Sequence, residues 1–336
     1  MIASVDEVKE AVAREYSGSV AAVNKLPQTK CDTFHVDFKD GTERFAKVGK
    51  PFHEDTYAAQ IDIVSMLSER GISIPSVVPT ATGAKYVSLG GGRFLEMHAW
   101  VPNGRPYNPT VEDVTQVARV MAEMHTAADS LDREHSAMKI MSSHPYTGMP
   151  KGQALPDSAM LDYFESKLSD VPATLRPYVV AALPLMRESL VTEIPSRDWG
   201  IIHADLNGGQ TMFDKDTNQF KALIDWEWML FGPRARDISY SLSTLTIGEK
   251  TSAESKSPIS KPLVQSFIDT YMATRSNFSP EDLQAAFQHL GWDATCRRTR
   301  WINQVLGGVS EERIAQLKEW FDPEPFERAR ELKDLL

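Results

Sequence analysis

Cysteine is nearly absent from this 336-residue chain, which has only Cys31 and Cys296. With no second cysteine nearby and no metal-ligand spacing, they form neither a disulfide framework nor a zinc site, and a reducing, intracellular setting is expected. Basic residues are also in deficit. Lys and Arg number 36 against 46 Asp and Glu, for a formal net charge of −10, which argues against a protein that coats nucleic acid or an anionic membrane. Long apolar runs are missing too. The longest, Val179 to Met186, is broken by Pro184 and falls far short of the roughly 20 residues that span a bilayer. The opening Met1-Ile2-Ala3-Ser4-Val5-Asp6-Glu7 carries acids where a signal peptide needs an apolar stretch, so a cytoplasmic protein is expected. What is present, 42% apolar and 24% charged residues without an internal repeat or low-complexity tract, suits a globular chain with a sizeable core.

The pattern changes along the chain. Ser4 and Glu7 form a capping pair ahead of Val5, Val8, Val12 and Tyr16, which recur on one helical face until Gly18. Phe34, Val36 and Phe38 then alternate with polar residues. Asp40-Gly41 is a hairpin turn, and Arg44 to Val48 is the return strand. A helix is predicted from about Glu54 to Arg70, stopped by Gly71, and strands from Lys85 to Leu89 and Arg93 to Val101 flank Gly90-Gly91-Gly92. After Pro102-Asn103-Gly104 the chain reads as mostly helical, with a Thr110 cap and a stripe of Val114, Val117, Met121, Met124 and Ala128. Residues 142–158 and 248–262, rich in Pro, Gly, Ser or charge, are predicted loops. Helices are expected again from Ser279-Pro280-Glu281 and from Ser310.

The chemistry is concentrated between Trp199 and Glu227. Ile201-Ile202 reads as a strand that delivers His203 and Asp205 onto a loop, and Gly208-Gly209 lets that loop turn before Thr211 to Phe213. If 211–213 pair with 222–224 across the polar turn 214–218, Gln210 and Asp225 stand side by side, with Asp205 five residues upstream. A carboxylate and an amide oxygen are hard ligands of the kind that suits Mg²⁺. Lys47 lies within a strand beside apolar Phe45 and Val48, so a charge there needs a reason.

His203-x-Asp205-x4-Gln210, followed by Ile224-Asp225-Trp226-Glu227 and Gly232-Pro233-x3-Asp237, resembles the aminoglycoside phosphotransferase and choline kinase-like family of small-molecule kinases. The Lys47 strand, Gly71-Ile72-Ser73-Ile74-Pro75, the linker Trp100-Val101-Pro102-Asn103-Gly104 and Ala122-Glu123-Met124-His125 are similar to family features in the same order. The resemblance implies an α+β, protein-kinase-like fold of two lobes: residues 1–101, a small sheet with one long helix that binds nucleotide, and residues 102–336, a larger helical lobe for catalysis and acceptor binding. It implies ATP and Mg²⁺ as cofactors, Asp205 as the catalytic acid-base residue that aligns the acceptor hydroxyl, and Gln210 and Asp225 as metal ligands. Lys47, His98 and Trp100 are implied as nucleotide contacts. His203 and His125 are expected to brace the structure by hydrogen bonding.

The chain departs from the family in several places. Gln210 stands where Asn is usual, Gln60 stands where a helix acid should pair with Lys47, and residues 26–32 contain no glycine. Glu54, Asp55 and Asp62 are the acids of that helix nearest Gln60. The expected activity is transfer of the γ-phosphate to a hydroxyl of a small polar molecule: an aminoglycoside-like antibiotic, an amino sugar, an amino alcohol or a hydroxy amino acid. The departures motivate the alternative, a pseudokinase that binds nucleotide or metabolite without turnover. A metal hydrolase using His203, Asp205 and Asp225 fails for lack of further ligand-spaced histidines. Neither nucleic acid nor membrane is an expected partner, and nothing in the sequence sets the oligomeric state. Trp228, Trp292, Trp301, Glu227 and Arg234 fit pocket, core or surface equally well; Arg297, Arg298 and Arg300 could hold an acidic acceptor, with a solvated helix face as the favoured reading.

Overall fold

The alternation of Phe34, Val36 and Phe38 becomes one face of an antiparallel sheet in the computed structural model, which describes residues 3–27, 32–49, 54–143, 156–190, 199–246, 259–320 and 324–334. In chain order the elements are α1 (Val5–Glu15), β1 (Val20–Lys25), β2 (Asp32–Phe38), β3 (Glu43–Gly49), α2 (Glu54–Glu69), β4 (Tyr86–Gly90), β5 (Arg93–Ala99) and β6 (Gly104–Pro106). Then come α3 (Val111–Asp129), α4 (Ser136–Ser143), α5 (Ser158–Ser166), α6 (Arg176–Glu188), β7 (Trp199–Ile202), β8 (Thr211–Asp214), β9 (Phe220–Leu223) and β10 (Leu230–Pro233). The chain ends with α7 (Arg234–Leu245), α8 (Lys261–Thr274), α9 (Pro280–Leu306), α10 (Glu311–Trp320) and α11 (Glu324–Lys333). No helix among the described residues is long and apolar enough to cross a membrane.

Two compact units result. The first comprises Met1–Tyr107, Thr126–His144 and Gly209–Trp228. Its main sheet runs β1-β2-β3-β5-β4. Because successive strand residues point to opposite sides, Phe34, Val36, Ala46, Val48, Leu95 and Met97 share one face, covered by Val8 and Val12 of α1 and by Tyr16 just after it. Ser4 caps α1 by accepting from the Glu7 N–H at 3.1 Å. The opposite face carries Lys47, Glu96, Phe94 and Tyr86, and Tyr57 and Ile61 of α2 pack there. At the end of α2, Gly71 takes φ 88°, the left-handed conformation that a residue with Cβ resists. The unit also holds the small sheet β6-β8-β9, in which β6 is a strand that sequence periodicity did not reveal, since three residues are too few to show a period.

The second unit comprises Asn108–His125, Pro145–Gly208 and Met229–Leu336. Its centre is α9, started by a reciprocal Ser279–Asp282 capping box with Pro280 in the first turn. Buried residues lie all around α9, from Leu283 and Phe287 to Ile302 and Val305, the mark of a helix enclosed by its neighbours. Leu161, Phe164, Leu175, Val179 and Met186 pack against it from α5, α6 and the turn between them. β7 and β10 form a two-stranded ribbon.

The predicted loops are shorter than expected. Ser142 and Ser143 close α4, and Ser158 opens α5 under an Asp157 cap, while 144–155 lie outside the described residues. Likewise Lys261-Pro262 begin α8, since proline fits a first helical turn whose N–H groups have no partner anyway, and 247–258 lie outside the described residues. Most of 26–32, the stretch without glycine, lies outside them too. Phe34 is fully buried and Phe45, on the other face, is half exposed. Phe34→Ala is therefore expected to lower unfolding free energy by about 3–5 kcal/mol and Phe45→Ala by about 1 kcal/mol; urea midpoints of the two variants check the ordering.

Candidate active site

The loop after β7 is held by one buried carboxylate. Asp237 of α7 is fully buried, and its Oδ2 and Oδ1 accept the backbone N–H groups of His203 at 2.8 Å and Ala204 at 2.6 Å. His125 Nε2 lies 3.2 Å from Oδ2, and His125 Nδ1 lies 2.7 Å from the Tyr271 hydroxyl. One tautomer satisfies both contacts: Nε2–H donates to Asp237, and Nδ1 accepts from Tyr271. Burial lowers the His125 pKa to about 4 despite the neighbouring carboxylate. Burial acts to raise the Asp237 pKa, but the hydrogen bond from His125 and the backbone donors outweigh it, so the carboxyl is held below its ordinary value. The expectation that His125 is a hydrogen-bonded structural histidine is met.

Asp205 is placed by the same loop. Ala204 takes φ 68°, a left-handed conformation that costs a residue with Cβ about 1–3 kcal/mol and needs compensation nearby. The Ala204 N–H bond to Asp237 supplies part of it, and Arg236 Nη1 donates to the Ala204 carbonyl at 2.8 Å. Upstream, Gly200 has no Cβ because one would collide with the Arg234 guanidinium. Ser241 donates to the Leu206 carbonyl at 2.9 Å, and Asn207 Nδ2 to the Asp205 carbonyl at 3.0 Å. The Asp205 carboxylate is half-buried and accepts the Tyr240 hydroxyl at 2.7 Å. Burial first, and Asp205 second, push the Tyr240 pKa up to about 12, so the phenol stays a donor.

In the first unit, charge gathers around Lys47. Thr211 pairs with Leu223 and Met212 with Ala222, and a bulge follows before Phe213. This register is one residue off the pairing 211–213 with 222–224. It sets Ile224 opposite Gln210, with the Ile224 N–H donating to the Gln210 carbonyl at 2.9 Å, and Asp225 follows at φ 62°. Lys47 Nζ is 2.6 Å from Asp225 Oδ1 and 3.0 Å from Glu227 Oε2. Glu96 is its cross-strand neighbour. Burial alone would lower the Lys47 pKa; Asp225, Glu96 and Glu227 outweigh that and hold it well above the ordinary lysine value. Lys47 is thus 9% exposed and fully charged.

The acid that answers Lys47 does not come from α2 among the described side chains. Asp62 pairs with Lys85 at 2.7 Å, and the side chains of Glu54 and Asp55 lie outside the described residues. Gln60 instead donates from Nε2 to the Glu227 carbonyl at 3.3 Å, so the helix still reaches the Asp225–Glu227 segment. Among the other candidate nucleotide contacts, His98 lies 3.3 Å from the Pro75 carbonyl through Nδ1 and 3.6 Å from Glu96 through Nε2. Trp100 packs on the His35 ring, with centroids 4.4 Å apart. Sequence reading passed over Glu96 and Tyr240. Glu96 and His98 alternate in strand period and were legible in principle; Tyr240 lies in an ordinary amphipathic helix and gave no signal.

The two arrangements have complementary chemistry. Asp205 is a carboxylate fixed in part by the Tyr240 hydroxyl, and a carboxylate is a hydrogen-bond acceptor. The Lys47 cluster joins one ammonium to the carboxylates of Asp225, Glu227 and Glu96, an all-oxygen donor surplus that fits a hard divalent cation. A pH prediction follows from His125. Its pKa is about 4 in the fold and about 6.5 when unfolded, so between those values the unfolded chain binds more protons. Its contribution to stability is complete above about pH 6.5 and is lost as pH falls toward 4. Urea midpoints at pH 7.0, 5.5 and 4.5 should fall in that order. A His125→Asn variant, weaker at pH 7.0, should lose less over the same range.

Comparison with known proteins bears on the family and the fold. The model of the phosphotransferase enzyme family (APH) matches residues 30–256. A search of curated proteins finds no match. Among solved structures, a microcompartment-associated aminopropanol kinase is 16% identical, covering 99% of this chain and 98% of its own, with a TM-score of 0.64. Amicoumacin kinase in complex with AMP-PNP, Ca²⁺ and Ami is 15% identical over 97% of this chain and 94% of its own, with a TM-score of 0.62. Spectinomycin phosphotransferase APH(9)-Ia, in complex with ADP and spectinomycin, is 15% identical over 100% of both chains, with a TM-score of 0.59. The shared feature is the α+β, protein-kinase-like fold expected from the sequence.

Proposed function

The chain belongs to the phosphotransferase enzyme family, and from that premise we propose that it is an ATP- and Mg²⁺-dependent kinase that phosphorylates a hydroxyl of a small polar acceptor. The observation that carries this reading is the Lys47–Asp225–Glu227 cluster, with Asp205 on the same continuous segment, five residues before Gln210. In this reading residues 1–101 serve the nucleotide and residues 102–336 serve catalysis and the acceptor. The acceptor is a hydroxylated small molecule of the aminoglycoside, amino sugar, amino alcohol or hydroxy amino acid kind. The acidic, cysteine-poor chain suits a cytoplasmic enzyme.

Each residue has a definite task. Lys47, charged at any physiological pH, binds the α- and β-phosphates and shares the carboxylates that hold it now. Asp225 and Gln210 offer oxygen ligands to Mg²⁺, with Glu227 as a further carboxylate beside them. These residues would hold Mg²⁺, which would supply positive charge to neutralise the phosphate oxygens during transfer. His98 and Trp100 border the nucleotide on the linker side. Asp205 accepts a hydrogen bond from the acceptor hydroxyl and takes its proton as the phosphoryl group transfers, while the Tyr240 bond fixes the carboxylate's rotation.

Transfer of labelled phosphate from ATP to an acceptor panel tests the reading. Asp205→Asn is expected to lower kcat by about 10²- to 10⁴-fold while ATP still binds; a loss of only a few-fold excludes Asp205 as the base. Lys47→Ala should weaken nucleotide affinity and rate together. In a Mg²⁺ titration, Gln210→Ala should raise the half-saturating concentration more than Gln210→Asn does, because Asn keeps the amide oxygen on a shorter reach. Nucleotide binding with no turnover on any acceptor is the result expected of a pseudokinase.

A further inference from the structure

Residues His289, Asp293, Arg297 and Arg300 recur along α9 at intervals of four, four and three, which places them on one helical face. That face packs against α7, where Arg236 Nε lies 3.6 Å from Asp293 Oδ1. Arg297 Nη2 reaches the same carboxylate at 2.7 Å. Arg300 forms no ion pair among the described residues, and its Nε is buried without a hydrogen-bond partner there. Two guanidiniums therefore meet one carboxylate, and Arg300 follows Arg297 by one turn on the same face. Expecting a solvated helix face here was wrong, because the Nε groups of both Arg297 and Arg300 are out of contact with water. Arg298, on another side of α9, is buried over the Phe326 ring.

A second observation points to a ligand. His289 is 3% exposed, and both of its ring nitrogens are buried without a hydrogen-bond partner among the described residues. Burial lowers its pKa to about 4, and the charges that bear on the ring are those of Asp293 and Arg236. It is thus a neutral imidazole with an unused donor, turned toward the charged cluster. An imidazole and a guanidinium edge taken out of water without partners cost free energy. A ligand oxyanion that accepts from both recovers it, with charge assistance.

The cluster adjoins Asp205. Arg236 donates to the carbonyl of Ala204, the residue before Asp205. Tyr240, one turn further along α7, donates to the Asp205 carboxylate and feels the charge of Arg297. We propose that the acceptor carries an oxyanion, a carboxylate or a phosphate, on the same small molecule as its hydroxyl, and that Arg297, Arg300 and His289 bind it. This rests on the kinase reading above and narrows its acceptor: of the classes named there, only the hydroxy amino acids contain such a group, and the cationic amino alcohols and aminoglycosides are disfavoured.

Two measurements on the full-length protein keep the proposal and the kinase reading separable. The first is calorimetric titration without nucleotide, using D-glycerate and glycerol phosphate as carboxylate and phosphate probes. At least one is expected to bind saturably, about 10-fold more weakly to Arg300→Ala and to Arg297→Ala, with Arg300→Lys in between. Lys139→Ala, at an exposed lysine of α4, should bind it as the parent does. Failure of both probes to bind, or parent-like binding by natively folded Arg300→Ala and Arg297→Ala, overturns the proposal. The second is phosphate transfer from ATP to matched pairs: glycerate and glyceramide, glycerol phosphate and glycerol, with ethanolamine as a cationic control. The anionic member should lead by roughly 10- to 100-fold in kcat/KM. A preference for the neutral or cationic acceptor overturns the proposal and leaves phosphotransfer standing. Arg300-dependent oxyanion binding with no transfer to any acceptor upholds the pocket and strikes down the kinase reading.

Discussion

A carboxylate withdrawn wholly from water must be met by donors on every side, and Asp237 is met by two backbone N–H groups and a histidine. An isolated ion in that position would cost several kcal/mol, so the loop from His203 to Asp205 is fixed wherever Asp237 is satisfied. The same bonds hold Ala204 in a left-handed conformation, which sets the direction in which Asp205 leaves the loop. His125 completes the arrangement only as a neutral ring, with Tyr271 supplying the second hydrogen bond. Tyr271 is itself fixed by packing, with the Phe278 ring edge-on at 5.0 Å. The position of one half-buried acid thus rests on a chain of buried groups that reaches α3, α7 and α8.

The Lys47 cluster solves a related problem with opposite charge. A lysine on a buried sheet face is stable as a cation only among carboxylates, and Asp225, Glu227 and Glu96 supply them from a hairpin end and a neighbouring strand. The acids outnumber the base. Such a cluster is well held in itself, and under the proposed function it would exchange part of its pairing for phosphate oxygens and a metal. Around α9 the imbalance is reversed, with guanidiniums in excess over carboxylate. A formal charge of −10 therefore describes solubility and long-range steering; the sign of charge beside Asp205 is set by which side chains one helical face brings together.

Local rules carried the sequence a long way. Period-two alternation identified β2 and the return strand β3, whereas the face of Lys47, opposite Phe34 and Val36, is set by the register that pairs Thr33 with Lys47 and Phe34 with Ala46. Caps at Ser4 and Ser279 and the stop at Gly71 were read correctly, since capping depends on residues three or four apart. The hairpin bringing Gln210 near Asp225 was legible to within one residue of register. The bulge after Met212 was not, because a bulge is decided by packing on both strands at once. The short strands β6 and β10 were missed for want of length.

What the sequence by itself determined is the inventory and its order: a lysine within a strand, an Asp on a loop after Ile201-Ile202, a second Asp after the next hairpin, and a family pattern binding them together. These are properties of residue type and spacing, which the chain carries in any conformation. Only the tertiary structure decided the partners. That Lys47 is answered by Asp225 and Glu227 in place of a helix acid, that Tyr240 holds Asp205, and that Arg236 meets Asp293 all depend on contacts between residues distant in sequence. Electrostatic free energy depends on separation and on exclusion of water. Neither is defined until the elements have packed.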